Sequence, residues 1–366
     1  MSERTKPLLA LVGGFLGAGK TTLILRAAGL LKEQGLRVAA IMNDQDSALV
    51  DTHFSEARDV CTREVAGGCF CCRFSDLTAA AEALAAHRPD VIFAEPVGSC
   101  VDVSATVVEP LKSLYGDKYR LAPLTVLVDP ELAARVYEDR ADPDVSFLFR
   151  NQLAEADLVC ASKCDLHPSP PQLPVPVDFQ LSAATGHGVR EWLTEILHST
   201  RVVGAHVLDV DYQRYAAAEA ALAWLNLHAE VRLVRAMSPP VLAGTLLDEL
   251  DRLLTEAQVS IAHLKVFDRA PSGYVKAGIC ANGEDPQPEG DLAASPSARH
   301  EFVVNLRAIG DPEQMRAIAQ QALRAVPGAV TVRHLRSFRP PAPAPQWGGP
   351  LTRLIRPPEP PASTPP

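Results

Sequence analysis

The sequence has little that would suit a membrane protein or a nucleic-acid-binding protein. Its longest apolar runs, such as the segment 8–19, are too short and too rich in glycine to span a bilayer. The 366 residues include 35 Lys and Arg against 44 Asp and Glu, a net charge of −9, whereas nucleic-acid binders normally carry a basic excess. We therefore expect neither a membrane nor a nucleic acid as a partner.

Cysteine is scarce, but its distribution is uneven. Only eight of the 366 residues are cysteine, and three of them lie within four positions of the segment GGCFCCRF, residues 67–74. The N-terminal residues fit no signal-peptide cleavage site, so we expect a cytoplasmic protein in which clustered thiols stay reduced. Metal binding or redox chemistry is thereby favoured over disulfide formation.

Apolar strands alternate with helices up to about residue 200. This pattern predicts an α/β domain with a parallel sheet and helices on both faces. The predicted strands are 8–14, 37–43, 90–95, 123–129, 156–162 and 176–182.

Beyond that point the order of the predicted elements changes. Predicted strands cover 229–237, 261–269, 273–281, 300–309 and 329–338, and predicted helices cover 239–258 and 311–326. The order indicates a smaller α+β domain of the ferredoxin-like type. We expect a first domain at 1–203, a second at 204–338 with a flexible insertion at 281–298, and a disordered Pro-rich tail at 339–366.

The segment GFLGAGKT, residues 14–21, matches the phosphate-loop pattern G-x-x-x-x-G-K-[ST] between a strand and a helix. Glycines let successive backbone N–H groups point at phosphate oxygens, and the helix N-terminus adds partial positive charge. Lys20 is expected to reach the β- and γ-phosphates as a catalytic group, and Thr21 to bind Mg²⁺. The remaining nucleotide-binding residues predicted here are Gly14, Gly17, Ala18, Gly19 and Thr22. The pattern predicts a P-loop NTPase fold.

Two further residues are predicted to serve the same phosphates. Glu95 ends the strand 90–95, where an acid reaches the Mg²⁺ ion, and we assign it a catalytic role. Gly98, three residues later, can contact the γ-phosphate.

Two segments at the ends of later predicted strands indicate which base the bound nucleotide carries. In ASKCD, residues 161–165, the carboxylate of Asp165 can accept from guanine N1–H and N2–H₂ together, and the Lys163 stem can pack on the ring. In SAATG, residues 182–186, Ser182 and Ala183 would complete the guanine contact. A Lys-x-Asp after a strand is also a common helix cap.

The segments GGFLGAGKTT, GGCFCC, EPVG and SKCD, in this order, resemble the CobW-type P-loop GTPases, a family in the class that includes HypB and UreG. The resemblance covers residues 8–200 well and the C-terminal domain more weakly. It implies a GTPase with slow turnover that uses GTP/GDP and Mg²⁺, binds a transition metal, and delivers it to a client metalloprotein or a cobalamin-related pathway. The resemblance specifies neither the client protein nor whether this protein forms a homodimer.

One segment departs from that family. Members usually carry Asn-Glu-Phe-Gly-Glu after the second strand, whereas this chain has NDQDS at residues 43–47. Asn43 matches, Asp44 stands in place of a Glu, and Ser47 replaces a second Glu. We therefore do not assign to this chain the metal-binding or water-positioning roles that those acids have in the family. We assign Gln45 as the catalytic group that orients the attacking water, with Asp46 as the other candidate.

The three clustered cysteines can now be interpreted as a metal site. Thiolates of Cys69, Cys71 and Cys72 would fill three tetrahedral positions of Zn²⁺ or Co²⁺, and soft ligands of this kind disfavour Mg²⁺. The fourth position would hold water or a movable side chain, with Cys100 as one option. A purely structural zinc and a redox-active Cys71–Cys72 pair remain open as alternatives.

Two other functions are compatible with these motifs. The first is a P-loop kinase for a small molecule, with a structural zinc. The second is a non-catalytic, nucleotide-dependent scaffold whose C-terminal domain is the working surface.

Overall fold

The computed structural model describes residues 6–45, 60–169 and 171–347. Two sheets organise these residues, one in each half of the chain. Within the described residues, no helix is both long enough and apolar enough to cross a membrane.

The N-terminal half is an α/β domain. Its strands are β1 (Leu8–Gly14), β2 (Val38–Asp44), β3 (Cys61–Ala66), β4 (Val91–Glu95), β5 (Arg120–Leu121), β6 (Thr125–Val128), β7 (Leu158–Ala161) and β8 (Phe179–Gln180). Its helices are α1 (Lys20–Glu33), α2 (Phe74–Leu84), α3 (Glu109–Tyr115), α4 (Pro130–Tyr137), α5 (Pro143–Ala154) and α6 (Val189–His198). A 3₁₀ turn (Ala85–His87) follows α2, and a π-helical turn (Ser104–Val108) leads into α3.

The strands pair in parallel in the order β3-β2-β4-β1-β6-β7-β8, with β5 beside β1. All seven residues of β1 are buried. Leu9 and Leu11 join the core on one face of the sheet, and Leu8, Ala10 and Val12 join the core on the other. A strand covered on both faces needs apolar residues at every position, which explains the continuous apolar run and confirms the predicted parallel sheet.

Local sequence sets where several helices begin. Asp129, Asp142 and Asp311 each precede a proline, and each side chain accepts hydrogen bonds from backbone N–H groups of the first turn. The proline fits the first helical position because its missing N–H would have no partner there.

The C-terminal half is built on an antiparallel sheet. Its elements are α7 (Tyr212–Ala221), β9 (Leu222–Met237), α8 (Pro239–Glu256), β10 (Ser260–Ala270), β11 (Gly273–Ile279), β12 (Glu289–Gly290), β13 (Ser297–Ile309), α9 (Pro312–Ala325) and β14 (Gly328–Phe338). The strand order is β12-β11-β10-β13-β9-β14. The elements β9-α8-β10 and β13-α9-β14 give the ferredoxin-like order, and β11 and β12 extend the sheet at the β10 edge. The predicted α+β fold is confirmed.

Three details differ from the sequence prediction. The segment 281–298, predicted as a flexible insertion, contains β12, which pairs with β11 at Lys276↔Glu289. Tyr215 on α7 lies in the core of the N-terminal half, although residue 204 was the predicted boundary. The tail follows a defined path over 339–347, where disorder was predicted, and its remaining residues, 348–366, lie outside the described residues.

Candidate functional site

The phosphate loop lies at the carboxyl edge of the parallel sheet, between β1 and α1. Gly14, Gly17 and Gly19 have positive φ angles of 126°, 77° and 90°. A Cβ at Gly14 would also lie 2.4 Å from the carbonyl oxygen of Leu127, so glycine is needed for space as well as conformation. β1 lies between β4 and β6 in the sheet, so its carboxyl end opens into the crevice where α/β sheets bind ligands.

The Lys20 ammonium is turned inward onto its own loop. Its Nζ donates to the carbonyl oxygens of Gly14 at 2.8 Å and Phe15 at 3.1 Å, and the side chain is buried. A phosphate oxygen is a stronger acceptor for an ammonium than a neutral carbonyl, because the bond is then charge-assisted on both sides. The geometry therefore fits the predicted phosphate-binding role of Lys20.

The structure brings the two predicted Mg²⁺ ligands together. The Thr21 hydroxyl donates to both carboxylate oxygens of Glu95, at 3.0 and 2.9 Å, although the two residues are 74 positions apart. A hydroxyl and a carboxylate are the hard oxygen ligands that Mg²⁺ takes, so the residues fit this ion. Gly98 and Glu95 line the same cavity as the phosphate loop.

The predicted guanine-binding segments line the same cavity. Ser162, Lys163, Asp165, Ser182 and Ala183 all line it.

Their loops are held by neighbouring side chains. Lys163 has a positive φ of 54°, and its Nζ lies 2.7 Å from Asp129 Oδ2. Arg26 Nε donates to the carbonyl oxygen of Ala183 at 3.0 Å, which fixes the second loop. Asp165 is exposed, so its carboxylate is open to a base.

We expect Asp165→Asn to reduce the preference for GTP over ATP by about 10- to 100-fold. An asparagine oxygen keeps one acceptor but loses the charge, and a hydrogen bond to a charged group contributes about 1.5–3 kcal/mol. Competitive binding of GTP and ATP measures the ratio, with Asp117→Asn as the matched exposed control. An unchanged ratio in Asp165→Asn would place base recognition elsewhere.

The second domain also contributes to this cavity, which the sequence analysis did not predict. Lys265, Lys276, Cys280 and Arg307 all line it. At Gly17 an added Cβ would lie 2.0 Å from Cys280 Sγ, so the second domain packs directly on the phosphate loop.

Two buried cations tie the domains together. Arg307 Nη2 lies 3.1 Å from both carboxylate oxygens of Asp44 at the end of β2, and its guanidinium stacks 3.8 Å above the Trp224 ring. Lys276 Nζ lies 3.5 Å from Thr22 Oγ1 and 3.4 Å from Glu289 Oε1. In the sequence, the sign of these contacts was a single basic residue within each of two mainly apolar segments, Lys276 in YVKAGI and Arg307 in VVNLRAI.

Gln45, the predicted water-orienting residue, is not among the described residues that line the cavity, whereas Asp44 is. The Gln45 side-chain oxygen is buried without a hydrogen-bond partner in the described part of the chain. Its catalytic role stays a prediction, and Asp46, Ser47 and the rest of 46–59 lie outside the described residues.

The three predicted metal ligands lie together in the turn between β3 and α2. Cys69 Sγ is 3.4 Å from Cys72 Sγ, Cys71 Sγ is 3.6 Å from Cys72 Sγ, and all three sulfurs lie within 4.8 Å of one another. The turn closes where the N–H groups of Cys72 and Arg73 donate to the Cys69 carbonyl oxygen at 3.0 and 2.9 Å. Such spacing suits a single tetrahedral ion.

Asn43 joins this cysteine turn to β2. Its Nδ2 donates to the carbonyl oxygens of Val65 at 2.9 Å and Gly68 at 2.7 Å. The next residue, Asp44, lines the nucleotide cavity. A single strand end therefore contacts both the cavity and the cysteine turn.

The pKa values of these thiols and of the neighbouring Cys100 are shifted in opposite directions. Sulfur hydrogen bonding with Cys69 raises the pKa of Cys72 to about 11, and hydrogen bonding with Cys100 raises the pKa values of Cys69 and Cys71. Hydrogen bonds from Cys69 and Cys71 lower the pKa of Cys100 to about 6. A metal ion must therefore displace protons from most of these sulfurs when it binds.

A C-terminal strap, residues 343–347, lies against the cysteine turn. The Ala344 N–H donates to Cys72 Sγ at 3.1 Å, and the Gln346 N–H donates to the Cys71 carbonyl oxygen at 2.9 Å. The Trp347 ring meets the Phe74 ring edge-on, with centroids 6.0 Å apart. The strap partly covers the thiols on the side of Cys72.

Comparisons with known proteins agree with these motifs. Residues 8–175 match the family model described as CobW/HypB/UreG, nucleotide-binding domain. The chain is 25% identical over 329 residues to the zinc chaperone YeiR of Escherichia coli, covering 80% of this chain and 92% of that protein. It is 28% identical over 192 residues to the zinc chaperone CobW of Pseudomonas aeruginosa, covering 45% of this chain and 51% of the relative.

Among solved structures, HypB from Helicobacter pylori in complex with nickel is similar at a TM-score of 0.40 and 15% identity, covering 56% of this chain and 92% of HypB. The family match extends from β1 past β7, and so includes the phosphate loop, the cysteine turn and the Glu95 and Asp165 strand ends. Residues 8–175 are thus similar to the nucleotide-binding domain of the CobW/HypB/UreG family.

Proposed function

We propose that this protein is a GTP-dependent zinc chaperone, which carries zinc as cargo on its cysteine turn and delivers it to a client metalloprotein. The phosphate loop, the Thr21–Glu95 pair and Asp165 support hydrolysis of GTP to GDP and phosphate with slow intrinsic turnover. The names of YeiR and CobW support zinc as the cargo, with cobalt as a second candidate. Reduced, clustered thiols suit the cytoplasm.

The observation that carries the proposal is the shared strand end of β2. Asn43 holds the Gly68 carbonyl oxygen of the cysteine turn, and Asp44 lines the cavity and pairs with Arg307. A change in the charge of the bound nucleotide acts on Asp44 and Arg307 first. Because Asn43 is the preceding residue, a displacement there reaches the cysteine turn.

Several residues of the chain have separate roles at the phosphates during hydrolysis. Lys20 leaves its loop carbonyls to bind the β- and γ-phosphate oxygens, and Gly98 meets the γ-phosphate. Thr21 and Glu95 would hold Mg²⁺, which would supply positive charge to the phosphates. Water attacks the γ-phosphorus, the bond from the γ-phosphorus to the β,γ-bridging oxygen breaks, and GDP keeps the electron pair. Both hydrogens of the water leave with the released phosphate.

We expect Zn²⁺ affinity to differ by about 5- to 150-fold between the protein loaded with a non-hydrolysable GTP analogue and the protein loaded with GDP. This is the usual range for coupling between two sites, and the shift cannot exceed the difference in affinity between the two states. Competition with a chromophoric zinc chelator measures both constants.

Asn43→Ser keeps every proposed ligand of zinc and nucleotide but cannot reach the Gly68 carbonyl oxygen, so it should shrink the ratio of the two zinc constants toward one. Equal zinc affinities in the two nucleotide states of the unmodified protein would refute the proposal. Release of phosphate from GTP without an acceptor molecule would separate it from the kinase and scaffold alternatives.

A further inference from the structure

We propose that Cys100 is the fourth sulfur ligand of the metal site, and that it gives the nucleotide a second route to the metal beside the one through Asn43. The inference rests on the proposed function, since it concerns the same cysteine turn. It adds a residue outside that turn, from the loop between β4 and α3.

The sulfur–sulfur distances fit one tetrahedral ion. With Zn–S bonds of about 2.3 Å, the sulfurs of a tetrahedral site lie about 3.8 Å apart. Cys100 Sγ lies 3.9 Å from Cys71 Sγ, beside the 3.6 Å between Cys71 and Cys72 and the 3.4 Å between Cys69 and Cys72. Cys100, which lies on a separate loop, is therefore at ligand spacing from Cys71, one of the three sulfurs of the cysteine turn.

The Cys100 side chain is placed by a loop that neighbouring groups hold with hydrogen bonds. Cys100 is 2% exposed and its sulfur lies 3.9 Å from that of Cys71, a residue that is 1% exposed. The Cys100 N–H donates to the Val97 carbonyl oxygen at 2.9 Å, and the Val101 N–H donates to the Tyr215 hydroxyl at 3.2 Å.

The same loop touches the phosphate loop two residues earlier. An added Cβ at Gly98 would lie 3.1 Å from the backbone nitrogen of Leu16, so the two loops are in contact. Gln152 Nε2 donates to the carbonyl oxygens of both Gly98 and Cys100, each at 2.9 Å, and holds the segment 98–100 as one unit. A shift of Gly98 at the γ-phosphate therefore moves Cys100 with it.

This arrangement gives the site a ligand that can be withdrawn. Three sulfurs stay on the cysteine turn, and Cys100 closes or opens the fourth position with the nucleotide state. A closed four-sulfur site holds zinc, whereas an open position allows a client's ligand to enter.

X-ray absorption on the unmodified zinc-loaded protein tests the ligand count directly. We expect four sulfurs at about 2.3 Å in one nucleotide state, and three sulfurs with one oxygen or nitrogen at about 2.0–2.1 Å in the other. Three sulfurs in both states would overturn the proposal.

A cobalt-loaded variant series gives a second readout. Cys100→Ser should lose about a quarter of the sulfur-to-cobalt charge-transfer absorbance, because three thiolates remain of four, and should weaken Zn²⁺ binding by at least about 10-fold. Cys160→Ser, in which the replaced cysteine is also buried but lies on β7, is the matched control and should change neither.

The variants separate this inference from the proposed function. An unchanged spectrum and zinc affinity in Cys100→Ser, with zinc binding still dependent on nucleotide, would overturn only the role of Cys100. Zinc binding that is independent of nucleotide, in a protein whose Cys100→Ser variant still loses a sulfur ligand, would overturn the proposed function and the withdrawal of Cys100 but keep the four-sulfur site.

Discussion

Lys20→Ala is expected to lower GTP affinity by at least about 100-fold and to abolish detectable hydrolysis. The ammonium is the buried cation of the phosphate loop, and in the structure it is held only 2.8 and 3.1 Å from loop carbonyl oxygens that a phosphate would replace as partners. A hydrogen bond between charged groups contributes about 1.5–3 kcal/mol, and one ammonium can reach two phosphates. Titration with a fluorescent GTP analogue measures the binding constant.

Lys32→Ala is the control for that experiment, because Lys32 lies on the same helix but in its last turn, exposed to solvent. Its GTP affinity should equal that of the unmodified protein. Zinc binding in the absence of nucleotide should be unaffected in both variants, since neither lysine contacts the cysteine turn. Normal GTP binding by Lys20→Ala would show that the phosphate-loop assignment is wrong.

Replacing Cys69, Cys71 and Cys72 together with serine should lower Zn²⁺ affinity by at least about 1,000-fold. Complete zinc sites in small domains bind with apparent free energies of about 10–16 kcal/mol, so the loss of three thiolates exceeds 4 kcal/mol. Serine hydroxyls stay protonated and bind zinc poorly at neutral pH. Chelator competition measures the change, and GTP affinity should stay within about twofold because the nucleotide cavity is lined by other residues.

The double variant Cys61→Ser, Cys164→Ser controls for the general loss of thiols. Both cysteines are partly buried and lie outside the cluster of three. Their replacement should leave zinc binding unchanged. If the triple variant binds zinc as tightly as the unmodified protein, then the metal is held elsewhere, whatever the outcome of the Cys100 experiments.

Much of this architecture could be predicted because its signals are local. The apolar run of β1 and the glycine-lysine-threonine that follows sit side by side in sequence, and each strand-helix alternation adds one step of the parallel sheet. The three cysteines of the turn lie within four positions, so their proximity in space required no knowledge of the fold. The same holds for the Asp-Pro pairs that begin three helices.

The contacts that link the halves of the chain could not be predicted in this way. Arg307 pairs with Asp44 across 263 positions, and Glu289 reaches Thr22 across 267 from a segment with the composition of a flexible loop. Within the first domain, the sequence offered Cys100 as one option for the fourth ligand, but no periodicity encodes the chain path after β4 that brings it to Cys71. The contacts between the two halves depend on how their sheets pack, and no pattern in a single sequence shows which residues will face each other.

The position of the strap has a practical consequence for how such a protein is prepared. Ala344 and Gln346 contact the cysteine turn, and 19 residues follow Trp347 in the chain. A polyhistidine tag fused directly after Trp347 would begin beside the sulfurs and would compete with them for the ion. Tags are therefore better attached at the N-terminus, and a chain that ends before residue 343 would have a more open sulfur pocket than a chain that keeps the strap.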